Sequence, residues 1–436
     1  MALGGGSFVV QNKVLPGAYI NFVSKPTAMG GIGERGVVAI PLSLDWGSNE
    51  VFTVESSEFM TKAKSIFGYD YTHEKLLSLR ELFYGAKTAI IYRLNGSGSK
   101  ATVTVGSLVA TAKYSGVRGN DISIIVRENI DDESYFDVIT VVDGSYYDTQ
   151  TVSKIEELLS NDFVVFSGEG AFESTAGANL TGGTNSDVNG ESYSQFISVI
   201  EAYDFNILVY DGDDDITKKL FVSFTKRMRD EEGVKFVTVM HNYSSADHEG
   251  VISVKNETEE GKTNLVYWVG GKEASANVNE SLTNTSYDGE LNIKTKYTKS
   301  EFEKAIESGE LVFYDDGENV RVLRDINTFT NFSSEKNSSF SSNRIMRVLD
   351  AIGNDVARIF SEYYLGKQSN NKNGRNLFKT ELISYHEQLM AIGAIEDFTA
   401  DDVTVSQGTE KTDVVVYLSV MPVDSMEKLY MKVEIV

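Results

Sequence analysis

Cysteine is absent from the 436 residues. That removes disulfides, thiolate nucleophiles and Cys-ligated metals, and fits either an intracellular protein or a disulfide-free exported one. Positive charge is scarce too. Against 64 Asp and Glu stand 40 Lys and Arg, a formal net charge of −24, and no basic stripe offsets the acidity. Phosphate neutralisation needs Lys and Arg clustered on a face, so the composition argues against a nucleic-acid binder. An anionic membrane surface repels such a chain for the same reason. No run approaches the ~20 consecutive apolar residues of a membrane helix. The opening MALGGGSFVVQNK has no basic n-region followed by an apolar h-region, so no signal peptide is expected. The expectation is a chain folded in a cytoplasm.

Recognisable chemistry is missing as well. There is no HExxH zinc motif and no G-x-S-x-G nucleophile elbow. The four histidines, His73, His241, His248 and His386, are scattered, and each is expected to be satisfied or exposed rather than a metal ligand. Gly31, Gly33 and Gly36 spell GxGxxG, but they precede a strand, whereas a dinucleotide site needs them after a strand and opening a helix. Gly261-Lys262-Thr263 mimics the end of a P-loop with Asn256 where the first glycine should stand. Asp211–Asp215, DGDDD, is the one tempting cluster. Carboxylates after a parallel strand can hold a metal, yet these residues also begin a helix, where acids cap free N–H groups and complement the dipole. Capping is the preferred reading. No catalytic, cofactor or metal residue is expected.

What is present is organisation. The length allows two to four domains. Residues 1–24 read as a Gly-rich arm with short strands, Phe8–Val10 among them. Residues 25–95 hold strands Val37–Leu42 and Thr88–Arg93 around helical spacing at Ser56–Phe67 and His73–Tyr84. Residues 96–185, opened by LNGSGSK and closed by GGTNSD, read as a β-rich insertion with one short helix at Val152–Leu159. Residues 190–325 alternate helix and strand, the rhythm of a parallel sheet covered by helices. Residues 326–412 carry two amphipathic helices, the first marked by Ile345, Leu349, Ile352, Val356 and Ile359.

Residues 413–436 end the chain on β-prone runs, Val414–Val420 and Leu429–Val436. In the second, Leu429, Met431, Val433 and Ile435 face one way and Tyr430, Lys432, Glu434 and Val436 the other, the pattern of a half-buried strand. A terminal strand needs an edge to pair with, its own or a neighbour's. Strand-like segments at both ends suggest exchange between copies.

Seven stretches, in this order, carry a resemblance to a known family. They are VLPGAYINFVS (14–24), GGIGERGVVAIPLSLDWG (30–47), AKYSGVRGNDISIIV (112–126), LTGGTNSDVNGESYSQFI (180–197), FNILVYDGDD (205–214), RVLRDINTFT (321–330) and VVVYLSVMPVDSMEKLYMKVEIV (414–436). The chain resembles the contractile tail sheath protein of bacteriophages and of phage-tail-like bacteriocins of Gram-positive bacteria. The resemblance implies an α/β, α+β multidomain fold with a subtilisin-like central domain lacking a working triad, an inserted β-rich domain, a C-terminal α+β domain and strand-forming arms. It implies a structural protein and not an enzyme, without cofactor, whose copies form hexameric rings stacked around a tail tube. Baseplate and tail terminator proteins are the further partners, with no nucleic acid and no membrane insertion. The particle would be a virion tail or phage-like tail assembled in the bacterial host cytoplasm. Phe8, Val9, Val10, Leu429, Met431, Val433 and Ile435 are then the inter-subunit strand residues, and Arg344, Arg347 and Arg358 are candidates to face the tube. The alternatives are a hydrolase-like α/β enzyme and an Asp-rich metal-binding module.

Overall fold

The computed structural model describes residues 31–435. They fall into two units, one of residues 33–354 with 422–435, the other of residues 31–32 with 355–421. Phe8, Val9 and Val10 lie outside the described residues.

The larger unit is built on a seven-stranded sheet. Strand β1 (Val37–Leu42) is followed by β2 (Phe52–Glu55), helices α1 (Ser56–Phe67) and α2 (Leu77–Phe83), and β3 (Thr88–Arg93). β1 and β3 are parallel, with Val38 opposite Ala89 and Ile40 opposite Ile91; β2 runs antiparallel to β3 at the edge.

The insertion comes next. It has β4 (Thr102–Val105), β5 (Leu108–Ala112), β6 (Ile122–Glu128), β7 (Phe136–Val142), β8 (Ser145–Val152), β9 (Val164–Ser167) and β10 (Thr175–Asn179). They form one sheet of order β4-β5-β9 and another of order β10-β6-β7-β8. The inward residues of both, such as Leu108, Ala110, Ile122, Ile124, Val138 and Val164, share one core with Trp46 and Phe163. The helix expected over Val152–Leu159 is not there. β8 continues to Val152, which pairs with Phe136, and only a 3-10 turn at Ile155–Glu157 remains. The hairpin ladder claims the residues that a helix would have needed.

The chain then returns to the large sheet. Helix α3 (Gly190–Ile200), β11 (Ile207–Tyr210), α4 (Asp215–Lys226), β12 (Val237–His241), β13 (Val251–Val254), α5 (Leu265–Ser275), α6 (Lys299–Glu307) and β14 (Glu310–Leu311) follow. The sheet order is β14-β13-β12-β11-β1-β3-β2, and β11 to β14 add in parallel beside β1.

Side-chain alternation divides this sheet into two buried faces. Val38, Ile40, Ile207 and Val209 join Phe59, Leu82, Leu265 and Trp268 of α1, α2 and α5 on one face. Ala39, Leu208 and Tyr210 join Phe196, Ile200 and Phe221 of α3 and α4 on the other. The result is a sheet covered by helices on both sides. A hairpin of Phe313–Asp315 with Val320–Val322 turns through Gly317, whose φ of 94° suits glycine.

Helix α7 (Asn343–Ile359) ends in a wider turn at Phe360–Tyr364. In the smaller unit, α8 (Lys372–Ala391) is capped by Asn371, which accepts from the Gly374 N–H at 2.9 Å. Its face of Phe378, Leu382, Tyr385 and Leu389 is buried. Val403–Gln407 packs along α8 and pairs antiparallel with Val414–Leu418.

Candidate assembly surface

The C-terminal run divides in the structure. Val414–Leu418 is a ladder strand with Val405 opposite Val416. Among the described residues it has no second neighbour, so its outer edge keeps unpaired backbone groups, the template for a further strand.

Residues 423–435 enter no ladder. The segment is tied down only at its start. Ser342 donates to Asp424 at 3.1 Å, and Glu427 accepts from Arg324 Nε at 2.7 Å and from Thr283 Oγ1 at 3.2 Å. Beyond Lys428 the side chains are free of the body. Leu429, Met431, Val433 and Ile435 are 87%, 75%, 71% and 97% exposed. A run of large apolar residues at strand spacing with no cover is rare on a finished surface. Covering each would contribute roughly 1.5–3 kcal/mol.

The three arginines separate. Arg347 is not available to a tube: it is 4% exposed and held between Glu273 and Asp325. Sequence periodicity set it off the apolar stripe, but the start of α7 is enclosed on more than one side, with Met346, Arg347 and Val348 all buried. Arg344 is half-buried. Arg358 is 38% exposed by side chain, beside Asp355 at 3.1 Å and Glu362 at 3.9 Å.

The acidic cluster at the end of β11 is engaged locally. Asp214 caps α4, accepting from the Thr217 N–H at 2.8 Å. Asp213 accepts from Lys218 at 2.8 Å. These contacts hold both carboxyls below their ordinary range, through Thr217 for Asp214 and through Lys218 for Asp213. Asp211 accepts from Tyr267 at 2.5 Å, and burial pushes its carboxyl up. Gly36 precedes β1 at a φ of 121°, against the Lys87 side chain, so the GxGxxG glycines end in a turn and not at a helix start.

Two histidines are satisfied and a third is so at one nitrogen. His73 accepts from the Lys75 N–H, while His386 donates through Nδ1 to Leu382 O at 2.7 Å and leaves its buried Nε2 without a partner. His248 Nδ1 accepts from the Gly250 N–H at 3.0 Å, which places the Nε2 proton toward Asp230 at 3.1 Å. Asp230, His248 and Glu249 lie close enough together to suggest a metal. However, Glu249 is bound to Lys336 at 2.5 Å, and that tautomer leaves Nε2 no lone pair for a cation. His241 departs from expectation: it is 4% exposed, and neither ring nitrogen has a hydrogen-bond partner.

Fold and surface together define a multidomain α/β chain with an uncovered apolar run at residues 429–435. Family models cover the chain in sequence. They are a tail sheath protein domain III N-terminal region over residues 35–94, a phage tail sheath beta-sandwich domain over 95–186, a phage tail sheath central domain over 186–328 and a phage tail sheath C-terminal domain over 335–436. The phage-like element PBSX protein XkdK of Bacillus subtilis is 33% identical, covering 99% of this chain and all of that protein. A sheath tail protein of Desulfitobacterium hafniense is 43% identical with a TM-score of 0.84, covering 96% of this chain and 99% of that one. In fold alone the likeness extends to the contracted sheath complex of an extracellular contractile injection system, PVC, at 10% identity and a TM-score of 0.57, covering 98% of each chain. The chain belongs to the phage tail sheath protein family.

Proposed function

We propose that copies of this chain polymerise in the bacterial host cytoplasm into a helical sheath of stacked six-membered rings around a tail tube, and that contraction of the sheath drives the tube through a target envelope. Strand exchange by the two termini holds neighbouring copies together. The observation that carries this reading is the uncovered row Leu429, Met431, Val433 and Ile435, beyond the anchor at Glu427. Each ladder hydrogen bond gained by such a strand is worth roughly 0.5–1.5 kcal/mol net, so a short added strand with its apolar row can link copies firmly. Phe8, Val9 and Val10 are the proposed counterpart at the other end.

Arg358 and Arg344, near opposite ends of α7, are the proposed tube-facing cations. Baseplate and terminator proteins are the expected end partners. The subtilisin-like reading of the central sheet, and the division at 25–95, 96–185, 190–325 and 326–412, belong to the same proposal. Energy for contraction resides in the lattice as a metastable packing, so no nucleotide is required.

Negative-stain microscopy of the full chain beside a chain ending at Lys428 tests the reading. That truncation is cleaner than one at Thr412, because Val414–Leu418 is a partner of Val403–Gln407 and its loss damages the fold. Striated tubes from the full chain, absent from the truncation, are expected. Tubes of equal length and number from both would remove the C-terminal arm from the mechanism.

A further inference from the structure

A polar cavity of about 210 Å³ opens beyond the carboxyl ends of β12 and β13, and assembly through the termini makes no use of it. The carboxyl ends of parallel strands are where open α/β sheets bind ligands. His241, the last residue of β12, lines the cavity. Its Nδ1 stands 3.7 Å from Asp213 Oδ1, too far for a hydrogen bond, and its Nε2 has no partner. A buried polar atom left unpaired costs its desolvation, so an orphaned imidazole on the wall of a polar cavity points to a group that completes it.

The other lining residues are Asn242, Lys255, Glu257, Lys294 and Tyr297. Lys255 pairs with Glu310 at 2.6 Å and Lys294 with Glu257 at 3.0 Å. The second pair is half-exposed and can exchange partners with little loss. Behind His241, the buried Lys218 ammonium is held by Asp213. Around the cavity the two ammoniums are each matched by a carboxylate, Glu310 and Glu257, so an anion is held by the half-exposed Lys294 exchanging partners, and a ring nitrogen, an amide and a phenol add further donors. The volume is below that of sites for drug-sized molecules. It suits one compact anionic group with a few waters.

We infer that this crevice is a binding site for a small oxyanion, a phosphate or carboxylate group, held by Lys255 and Lys294 and reached by His241 Nε2, which is closed to solvent in this structure, through a turn of its ring. Bound anion favours the doubly protonated ring, with Nε2–H on the ligand and Nδ1–H toward Asp213. Burial holds the free imidazole below its ordinary range, with Asp213 and Glu257 opposing and Lys218 reinforcing that shift. Binding therefore takes up a proton and strengthens as pH falls. The anion has two sources: free in solution, or an acidic side chain of a second copy, since each chain carries 64 Asp and Glu.

Titration calorimetry of the full chain with inorganic phosphate, at constant ionic strength and at about pH 6 and about pH 8, tests the site. Saturable binding, tighter at the lower pH and about tenfold weaker in His241→Ala and in Lys294→Ala, is expected. Lys219→Ala, on the exposed face of α4, serves as the charge control and should bind normally. No heat with phosphate, but self-association weakened by His241→Ala and Lys294→Ala and not by Lys219→Ala, would assign the site to a neighbouring copy's carboxylate. Binding untouched by either variant, or neither binding nor an assembly change, overturns the inference. Lys294 is half-exposed, so its variant decides the matter even if His241→Ala fails to fold.

Discussion

Arg347 Nη2 lies 2.9 Å from Asp325 Oδ2, with the two side chains 4% and 1% exposed. The same nitrogen is 3.0 Å from Glu273 Oε2, Nη1 donates to Glu280 O at 2.8 Å, and Asn343 donates to Asp325 Oδ1 at 2.7 Å. The Arg347 guanidinium thus touches two buried carboxyls, with Arg35 donating to Glu273 O at 3.0 Å nearby. Burial, and then Asp325, push the Glu273 carboxyl well above its ordinary range against the pull of Arg347. Glu273 is therefore the carboxyl biased toward its protonated form. Asp325→Asn should cost about 1.5–3 kcal/mol, because the buried guanidinium loses the Asp325 acceptor and Glu273 must ionise in its place. Glu273→Gln, which keeps the shape of the protonated acid, should cost about 1 kcal/mol or less. Urea unfolding at neutral pH separates the two, and equal costs would contradict the assignment of the proton.

Titration of this cluster has a definite sign. The folded state holds the Glu273 proton that the unfolded chain releases above the ordinary value of 4.5. The stability from this group is fully present below that value and is lost as pH rises through the raised folded value. Glu273→Gln cannot titrate. The difference in unfolding free energy between wild type and variant should therefore shift in favour of the variant as pH rises from about 4.5, and a flat difference across that window would show that Glu273 is charged in the fold.

Arg93 fixes the mouth of the insertion. It is 2% exposed, and its guanidinium donates to Leu44 O at 3.1 Å, Gly47 O at 3.0 Å and Ser115 O at 2.9 Å. Burial pushes its pKa down to about 10. Arg93→Met leaves these carbonyls without donors at about 1–3 kcal/mol each for those that stay dry. Loss of at least ~3 kcal/mol, and faster protease nicking in the linker LNGSGSK, are expected. Nicking at the wild-type rate would mean that the insertion is held elsewhere.

Much of the large sheet was readable because its strands are buried on both faces. Val37–Leu42 lies between Gly36 and Ser43 and Thr88–Arg93 follows Lys87, and both mainly apolar runs are placed to the residue. β8, SYYDTQTV, and β10, TAGAN, are mostly exposed and polar, so no hydrophobic alternation marks them. The apolar spacing at Val152, Ile155 and Leu158 suggested a helix, since a run that short fits either period. Tertiary burial escaped the sequence altogether. Arg347 looked like a surface cation and is a core ion, while His241 looked ordinary and is an orphan, and nothing local distinguishes either. The terminal run Leu429–Val436, expected as a half-buried strand, enters no ladder among the described residues and leaves its apolar side chains exposed, because no edge in the described chain lies beside it.

The reading of Asp211–Asp215 as a helix start predicts indifference to calcium. Asp213 and Asp214 are occupied by Lys218 and Thr217, so millimolar calcium should leave Tm unchanged, where a true site would raise it. Asp214→Ala should lower Tm, while Asp214→Asn, which keeps an acceptor at the cap, should not. The depressed Asp214 carboxyl makes its contribution present above the ordinary value of 3.8 and lost as pH falls below it. A calcium-dependent rise in Tm abolished by Asp214→Asn would restore the metal reading.

Val433 and Ile435 are 71% and 97% exposed, so a polar substitution there should leave the isolated chain as stable as before, within about 0.5 kcal/mol. In a lattice the same side chains would be covered by a neighbour. Val433→Asp with Ile435→Asp then sacrifices roughly 1.5–3 kcal/mol of burial per residue at every junction, and adds carboxylates to be desolvated. An unchanged Tm with tubes abolished is the expected pair of results. Val433→Ile should leave tubes intact, because it keeps the apolar row. If the double variant assembles normally, the row is not an interface and the terminal segment has another role. If it unfolds, the segment is covered within its own chain in solution.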